Sequence, residues 1–240
     1  MKNILIIIKL LISIGLYSQI NMDYIIESQN ELGQLKLKII VTNKTDKPYL
    51  LPIDTSSFKG YYESEYCGIF EDQDYPYKFF APTVMLKEEN KQEYLFPGSS
   101  KGHLPEGDGS EEYIKSLINT ANKEINEVEK WKKKYDLKNK KDAIKNYYLT
   151  KNLLFLKPNE KHVYTIVLEL GNINRENAST LYDYYSFEFK KYFLALHLCI
   201  TNDAYNWLTI KQKKRFKKFI FFTGTIRSND VLFEPIKKIP

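Results

Sequence analysis

The sequence predicts a mainly β protein: an antiparallel β-sandwich carrying one helical insertion. Three observations carry this. Leu35, Leu37, Ile39 and Val41 alternate with Lys36, Lys38, Ile40 and Thr42, the period of two that sets one side of a strand in a core and the other toward water. A period of two recurs over His162–Leu170, with Tyr164, Ile166, Leu168 and Leu170 on one side, and again at Tyr192, Leu194, Leu196 and Leu198. Between these stretches, over residues 110–150, the apolar spacing switches to that of helices.

Taken in order, Asp23 to Ser28 is a first strand and Asn30-Glu31-Leu32-Gly33 a turn. After the strand at 35–42, Asn43 to Lys47 turns the chain. Pro48 then introduces Tyr49-Leu50-Leu51; proline is tolerated at a strand start because no ladder donor is needed there. Asp54 to Gln73 is rich in Ser, Tyr and acidic residues, with a short strand at Cys67 to Phe70. Phe79 to Lys87 is extended, and Pro97 to Ser110 is a loop by composition. The first helix carries Ile114, Leu117, Ile118, Ala121, Ile125, Val128 and Tyr135 at helical spacing. Ser110 is its N-cap, Glu111 and Glu112 sit at the positive end of its dipole, and Lys132, Lys133 and Lys134 at the negative end. Asn139 caps a second helix from Lys140 to Thr150, with Ala143, Ile144, Tyr147 and Tyr148 on one face. One helical hairpin has too little core to stand alone, so the pair is an insertion in a β domain. Strands resume at Leu153–Leu156 and, after the turn Lys157–Glu160, at His162–Leu170. Tyr182 to Phe189 extends as a strand, Lys191 to Ile200 is a strong one, and Asn202-Asp203 caps a short helix through Phe216. Phe219 to Arg227 is the next strand, and Ser228-Asn229-Asp230 turns into Val231-Leu232-Phe233.

The N-terminus bears on compartment. Met1-Lys2-Asn3 is a short positive start. Ile4 to Leu16 is apolar apart from Lys9, and Tyr17-Ser18-Gln19 follows. This is the layout of a secretory signal peptide over residues 1–19, with an uncleaved anchor or a core strand as the alternative. The apolar run is shorter than a comfortable membrane span. No Cys sits near the expected cleavage point, which argues against a lipid anchor there. The expected product is a secreted or periplasmic domain, residues 20–240, with no transmembrane span after cleavage. In an oxidising compartment Cys67 and Cys199 can form a disulfide; the alternative is two small apolar fillers.

Composition agrees with a packed β domain. Apolar residues make up 43% of the 240 and aromatics are abundant, with 19 Tyr and 14 Phe, which suits strands better than helices. The formal charge of +6 is spread over mixed Lys and Glu, which argues for solubility more than for a nucleic-acid partner.

The stretches LKIIVTNKTDKPY at 37–49, LKPNEKHVY at 156–164 and YFLALHL at 192–198 resemble the immunoglobulin-like sandwiches of secreted bacterial proteins. In those domains an early strand ends in Asn followed by Thr or Ser. A later strand is introduced by Leu-x-Pro-x-Glu, and a Tyr opens a penultimate strand that pairs with a last one. The resemblance implies that Phe219 to Arg227 is that last strand. It implies a fold but no reaction, since such sandwiches serve as binding modules, inhibitors, assembly parts and enzyme accessories.

Catalytic and metal chemistry find little to stand on in the sequence. His103, His162 and His197 lack the paired spacing of zinc ligands. No G-x-S-x-G elbow is present. Cys67 lies among Glu63, Glu65 and Glu71, which would raise a thiol pKa rather than lower it. No catalytic residue, cofactor site or metal site is nominated. Two surfaces are. Tyr61, Tyr62, Tyr66, Tyr75 and Tyr77 lie in an aromatic run from Phe58 to Phe80; exposed Tyr anchors sugars or protein partners at low entropic cost, against the alternative that the run packs beneath a long loop. Lys211, Lys213, Lys214, Arg215, Lys217 and Lys218 form a basic segment suited to anionic lipid or polysaccharide, with nucleic acid the weakest of the three for an exported chain, and with a solvated helix end as the plain alternative. The sequence thus points to an exported non-enzymatic module that binds a macromolecule or a surface glycan. An exported glycan or peptide hydrolase with acids far apart in sequence, or a protease-inhibitor-like sandwich, are the alternatives.

Overall fold

The structure, a computed structural model, describes residues 19–30, 33–63, 67, 77–101, 110–173, 181–186 and 188–236. The expected signal segment up to residue 18, the continuation of the expected strand from Cys67 through Phe70, and Tyr66, Tyr75 and His103 lie outside these residues. In chain order the elements are β1 (Ile20–Gln29), β2 (Gln34–Asn43), β3 (Tyr49–Pro52), β4 (Thr83–Glu88), β5 (Gly98–Lys101), α1 (Ser110–Tyr135), α2 (Lys140–Lys151), β6 (Leu153–Leu156), β7 (Lys161–Glu169), β8 (Leu181–Tyr184), β9 (Tyr192–Ile200), a 3-10 turn (Asn202–Trp207), α3 (Ile210–Phe216), β10 (Ile220–Phe221), β11 (Gly224–Arg227) and β12 (Val231–Phe233).

The chain is mainly β, with several antiparallel sheets. The first sheet runs β1-β2-β7, antiparallel throughout. Its register sets Met22 beside Val41, and Ile39 between Tyr24 and Tyr164. The period-two pattern of β2 therefore becomes a single inward face, on which Leu35, Leu37, Ile39 and Val41 are fully buried. A second sheet is centred on β9, flanked by β4 on one side and by β11 and β12 on the other. Leu194, Leu196, Leu198, Val84, Leu86 and Ile226 are its inward residues and join the same core cluster. Two polar contacts connect the sheets. The Tyr24 hydroxyl donates to the Leu194 carbonyl at 2.5 Å. The Asn229 carboxamide pairs with the Tyr24 main chain, accepting from its N–H at 2.9 Å and donating to its carbonyl at 3.0 Å.

A third sheet, β10-β3-β6, departs from the antiparallel expectation, because β10 pairs with β3 in parallel. The stretch Phe219 to Arg227 is accordingly not one strand. Ile220 and Phe221 join β3, and from Gly224 the chain joins β9 instead. Gly224 takes φ +116° at the switch, a backbone conformation that side-chain-bearing residues rarely adopt. The expected loop at Pro97–Ser110 begins with a strand, since β5 pairs with β8. Its sequence, Gly-Ser-Ser-Lys, has no apolar alternation by which a strand could be read. The expected strand from Tyr182 to Phe189 is confined to Leu181–Tyr184.

The two helices of the insertion form as their spacing predicts. The expected helix capped by Asn202-Asp203 and running through Phe216 is instead two pieces: a 3-10 turn over Asn202–Trp207, then α3 over Ile210–Phe216 with Thr209 as its cap, because Leu208 and Thr209 are extended. Ser110 is the first residue of α1 rather than its cap. Asn139 caps α2, its Oδ1 accepting from the Asp142 N–H at 2.8 Å. Only the C-terminal half of α1 is anchored. Val128 is buried, whereas Ile118 and Ile125 are exposed. The insertion is tied to the body by polar contacts as well. Asn146 of α2 is fully buried. It accepts from Trp131 Nε1 at 2.8 Å and donates to the Trp207 carbonyl at 2.6 Å and to Gln212 Oε1 at 2.7 Å. Gln212 returns a bond to Asn146 Oδ1 at 3.1 Å and serves the Thr209 capping box of α3.

Candidate ligand-binding surfaces

The outward face of the β9 sheet carries an aromatic ledge. Lys87 and Phe193 face each other across β4 and β9. The segment after β4 runs extended, with Leu95 packed against the core and its N–H bonded to the Leu86 carbonyl at 2.7 Å. The same alternation sends Tyr94 and Phe96 outward. Tyr61 joins them, its ring centroid 5.4 Å from Tyr94 and stacked at 5.9 Å and 17° on Phe96. Phe96 is 59% exposed. Cations flank the ledge: Lys87 Nζ lies 5.9 Å from the Tyr94 ring and 5.6 Å from that of Phe193, and Arg227 donates to the Tyr94 hydroxyl at 3.1 Å and to Asp230 at 2.6 Å. Burial, together with Glu63 and Tyr94, pushes the Tyr61 phenol up from its ordinary value, so it remains a neutral donor.

A buried carboxylate fixes the ledge from behind. Asp183 Oδ1 accepts from the hydroxyls of Tyr62 at 2.9 Å and Ser99 at 3.0 Å. Gly60 packs so closely here that a Cβ would stand 2.6 Å from Pro97 Cγ and 3.2 Å from Asp183 Oδ2. The Tyr185 hydroxyl donates to the Val84 carbonyl at 2.7 Å and accepts from the Tyr61 N–H at 3.1 Å. The segment Gly60–Tyr62 is thereby clamped between β4 and β8.

The tyrosines singled out in the sequence therefore part company. Tyr61 and Tyr62 belong to the ledge. Tyr77 packs inward against Phe79 and Tyr148 beneath the helical insertion, the covered arrangement. Tyr94 and Phe96, the other half of the ledge, were missed. The signal available for them was the alternation Tyr-Leu-Phe around Leu95.

The basic segment forms α3 and the turn after it. Gln212 and Phe216 point inward, and Lys211, Lys214, Arg215, Lys217 and Lys218 are exposed. Lys213 Nζ lies 4.7 Å from the Tyr205 ring. The segment is a cation-coated helix and helix end.

Cys67 and Cys199 are joined by a disulfide, both half-buried, with Cα atoms 5.3 Å apart. His197 is buried on the outward side of β9. Its burial, with Lys59 and Arg227 nearby, pushes it down to about 4. His162 stacks loosely on Tyr164 at 6.0 Å. Among the described residues no three His, Cys, Asp or Glu side chains gather as a metal set, and no helix is long and apolar enough to cross a membrane.

A second concave feature lies at the far end of the segment that leads into the ledge. It is a cleft of about 250 Å³ lined by Gln34, Ser56, Ser57, Phe58, Lys78, Val167, Glu169, Asn172 and Ile173. No protein-family model, curated protein or solved structure matches the chain.

Proposed function

We propose that the protein is an exported, non-enzymatic binding module, built on an immunoglobulin-like sandwich, that recognises a surface glycan through its aromatic ledge. The observation that carries this reading is the stacked pair Tyr61–Phe96, presented toward solvent beside Tyr94 and held from behind by Asp183. Flat aromatic faces offer a large apolar area to the C–H face of a sugar ring and lose little side-chain entropy on binding. Export is supported by the layout of residues 1–19 and by the Cys67–Cys199 disulfide, a bond at home in oxidising compartments. The sandwich reading is supported by the antiparallel β1-β2-β7 sheet and by the core it shares with the β9 sheet.

The test is binding of the purified domain, residues 20–240, to an array of bacterial and host polysaccharides, with Phe96→Ala and Tyr61→Ala compared at matched melting temperature. The reading expects retention of at least one polysaccharide and a loss of about tenfold or more in each variant, the effect of removing a central aromatic anchor. Turnover of a glycan or peptide by the domain, or variants that bind as well as the parent, would remove it.

A further inference from the structure

We infer that α3 and the turn after it form a docking surface for an anionic lipid bilayer. The surface is made of other residues than the aromatic ledge, and it goes beyond the glycan reading without resting on it.

Helical rotation sorts the segment into two sides. Each residue turns the helix by about 100°, so Gln212 and Phe216 share one side, where both are buried. Ile210, Lys211, Lys214 and Arg215 fall on the other. Lys217 keeps helical torsions, φ −53° and ψ −20°, and so continues the row that starts with Ile210 and Lys214. Lys218 follows in the turn. The outward side is thus one apolar knob among five exposed cations, and Ile210 is 74% exposed. Among the described residues, no carboxylate lies within ion-pair distance of Lys211, Lys214, Arg215, Lys217 or Lys218.

The inward side holds this face in place. Gln212 exchanges bonds with Asn146 and donates to the Thr150 hydroxyl at 3.0 Å. Thr209 closes the capping box, and Phe216 packs on Phe155 with ring centroids 5.6 Å apart. On one flank Tyr205 is 39% exposed, with Lys213 Nζ 4.7 Å from its ring.

The isoleucine is what separates a bilayer from a soluble polyanion. Cations without carboxylate partners make a positive field that draws any anionic partner. An exposed apolar side chain in the middle of that field gains nothing from a phosphate or uronate chain in water. At a bilayer it enters the boundary between headgroups and acyl chains, while the surrounding cations meet lipid phosphates. The lysine stems lie along the same boundary and keep their ammonium groups at headgroup level. A tyrosine such as Tyr205, apolar in body and polar at its tip, suits that level too. One apolar knob buries little area, so the contact is peripheral and reversible and draws most of its strength from charge.

The experiment is co-sedimentation of the chain from residue 20 to 240 with phosphatidylcholine vesicles that contain or lack phosphatidylglycerol. Starting at residue 20 keeps the apolar run of residues 4–16 from supplying the binding. The expected result is binding to the phosphatidylglycerol vesicles only, weakened by added salt. Lys214→Gln and Lys217→Gln should each weaken it about fivefold, and Ile210→Ser about threefold or more. All three positions are exposed, so the variants should melt with the parent. Phe96→Ala should bind vesicles as the parent does. The inference is overturned if phosphatidylglycerol vesicles are not bound, if pure phosphatidylcholine is bound equally, or if either both lysine variants or Ile210→Ser bind like the parent. Retention on heparin without binding to vesicles overturns it as well, since the face then reads charge alone. Loss of vesicle binding in Phe96→Ala would move the contact to the ledge and overturn it too. Failure of the polysaccharide array would remove the glycan reading and leave this surface standing.

Discussion

Asn43 Nδ2 donates to the carbonyl of Lys157 at 2.8 Å, across 114 residues of sequence, and to the carbonyl of Lys47 at 2.7 Å. Its Oδ1 accepts from the Thr45 N–H and hydroxyl. The side chain is fully buried, so its carboxamide, with the Asn159 N–H bond to the Thr45 carbonyl at 3.1 Å, locks the turn after β2 to the turn before β7. Asn43→Ala strands these groups and is expected to cost about 2–3 kcal/mol. Asn43→Asp, which keeps the acceptor but cannot donate, should be at least as damaging. Urea unfolding of the two variants checks this, and a midpoint unchanged in either would show that the turns hold without it.

Ile39 lies at the centre of β2 with no exposed surface, paired with Tyr24 and Tyr164. Ile39→Ala should lose about 2–5 kcal/mol, the transfer term plus the cavity left behind. Ile39→Asp places an unpaired carboxylate in the same site and should yield no folded protein. Soluble expression and thermal melting give the readout.

His197 predicts a pH dependence. Its folded value, about 4, lies below the ordinary 6.5. As pH falls through that interval the unfolded chain takes up a proton that the folded chain refuses. Stability from this group is therefore fully present above about pH 6.5, declines as pH drops, and levels off below about pH 4, by about 3 kcal/mol in all. His197→Gln should flatten that part of the curve. The difference between parent and variant, measured by denaturant unfolding from neutral pH to about pH 4, isolates it from the carboxylates.

Reduction of the Cys67–Cys199 bond opens a loop spanning 132 residues. On chain entropy alone the closed loop is worth up to ~5 kcal/mol, with measured values often lower. Dithiothreitol, or Cys199→Ala, should lower the melting temperature. If the purified oxidised protein titrates with two free thiols, the bond is absent and this expectation falls with it.

The sheets were legible where one face is dry. β2, β7 and β9 each alternate because one side meets the core, and α2 declared itself through Asn139 and its apolar face. β5 was hidden because Ser99 and Ser100 pair with β8 without needing an apolar pattern, and the break between β10 and β11 because it depends on the torsion of Gly224 rather than on hydropathy. The sites were harder. Tyr61 and Tyr62 stood out by aromatic density, yet their neighbours Tyr94, Phe96 and Asp183 come from other parts of the chain. The Asn146–Gln212 pair, 66 positions apart, leaves no local trace at all. Polar groups that satisfy each other through space follow no period, so sequence reading finds the core before it finds what the core supports.

The two bonds between Asn229 and the Tyr24 main chain have a consequence for how the molecule is made. They cover part of the outer edge of β1, a strand whose unpaired N–H and C=O groups would otherwise template sheet growth between molecules. The covering residue lies 205 positions downstream, so this edge stays open until those positions have been made. Contacts of such long range also form slowly. A nascent chain halted before Asn229 would thus be adhesive along β1. Asn229→Ala, harmless to the core, should leave a finished protein that aggregates more readily at high concentration than its melting temperature would foretell.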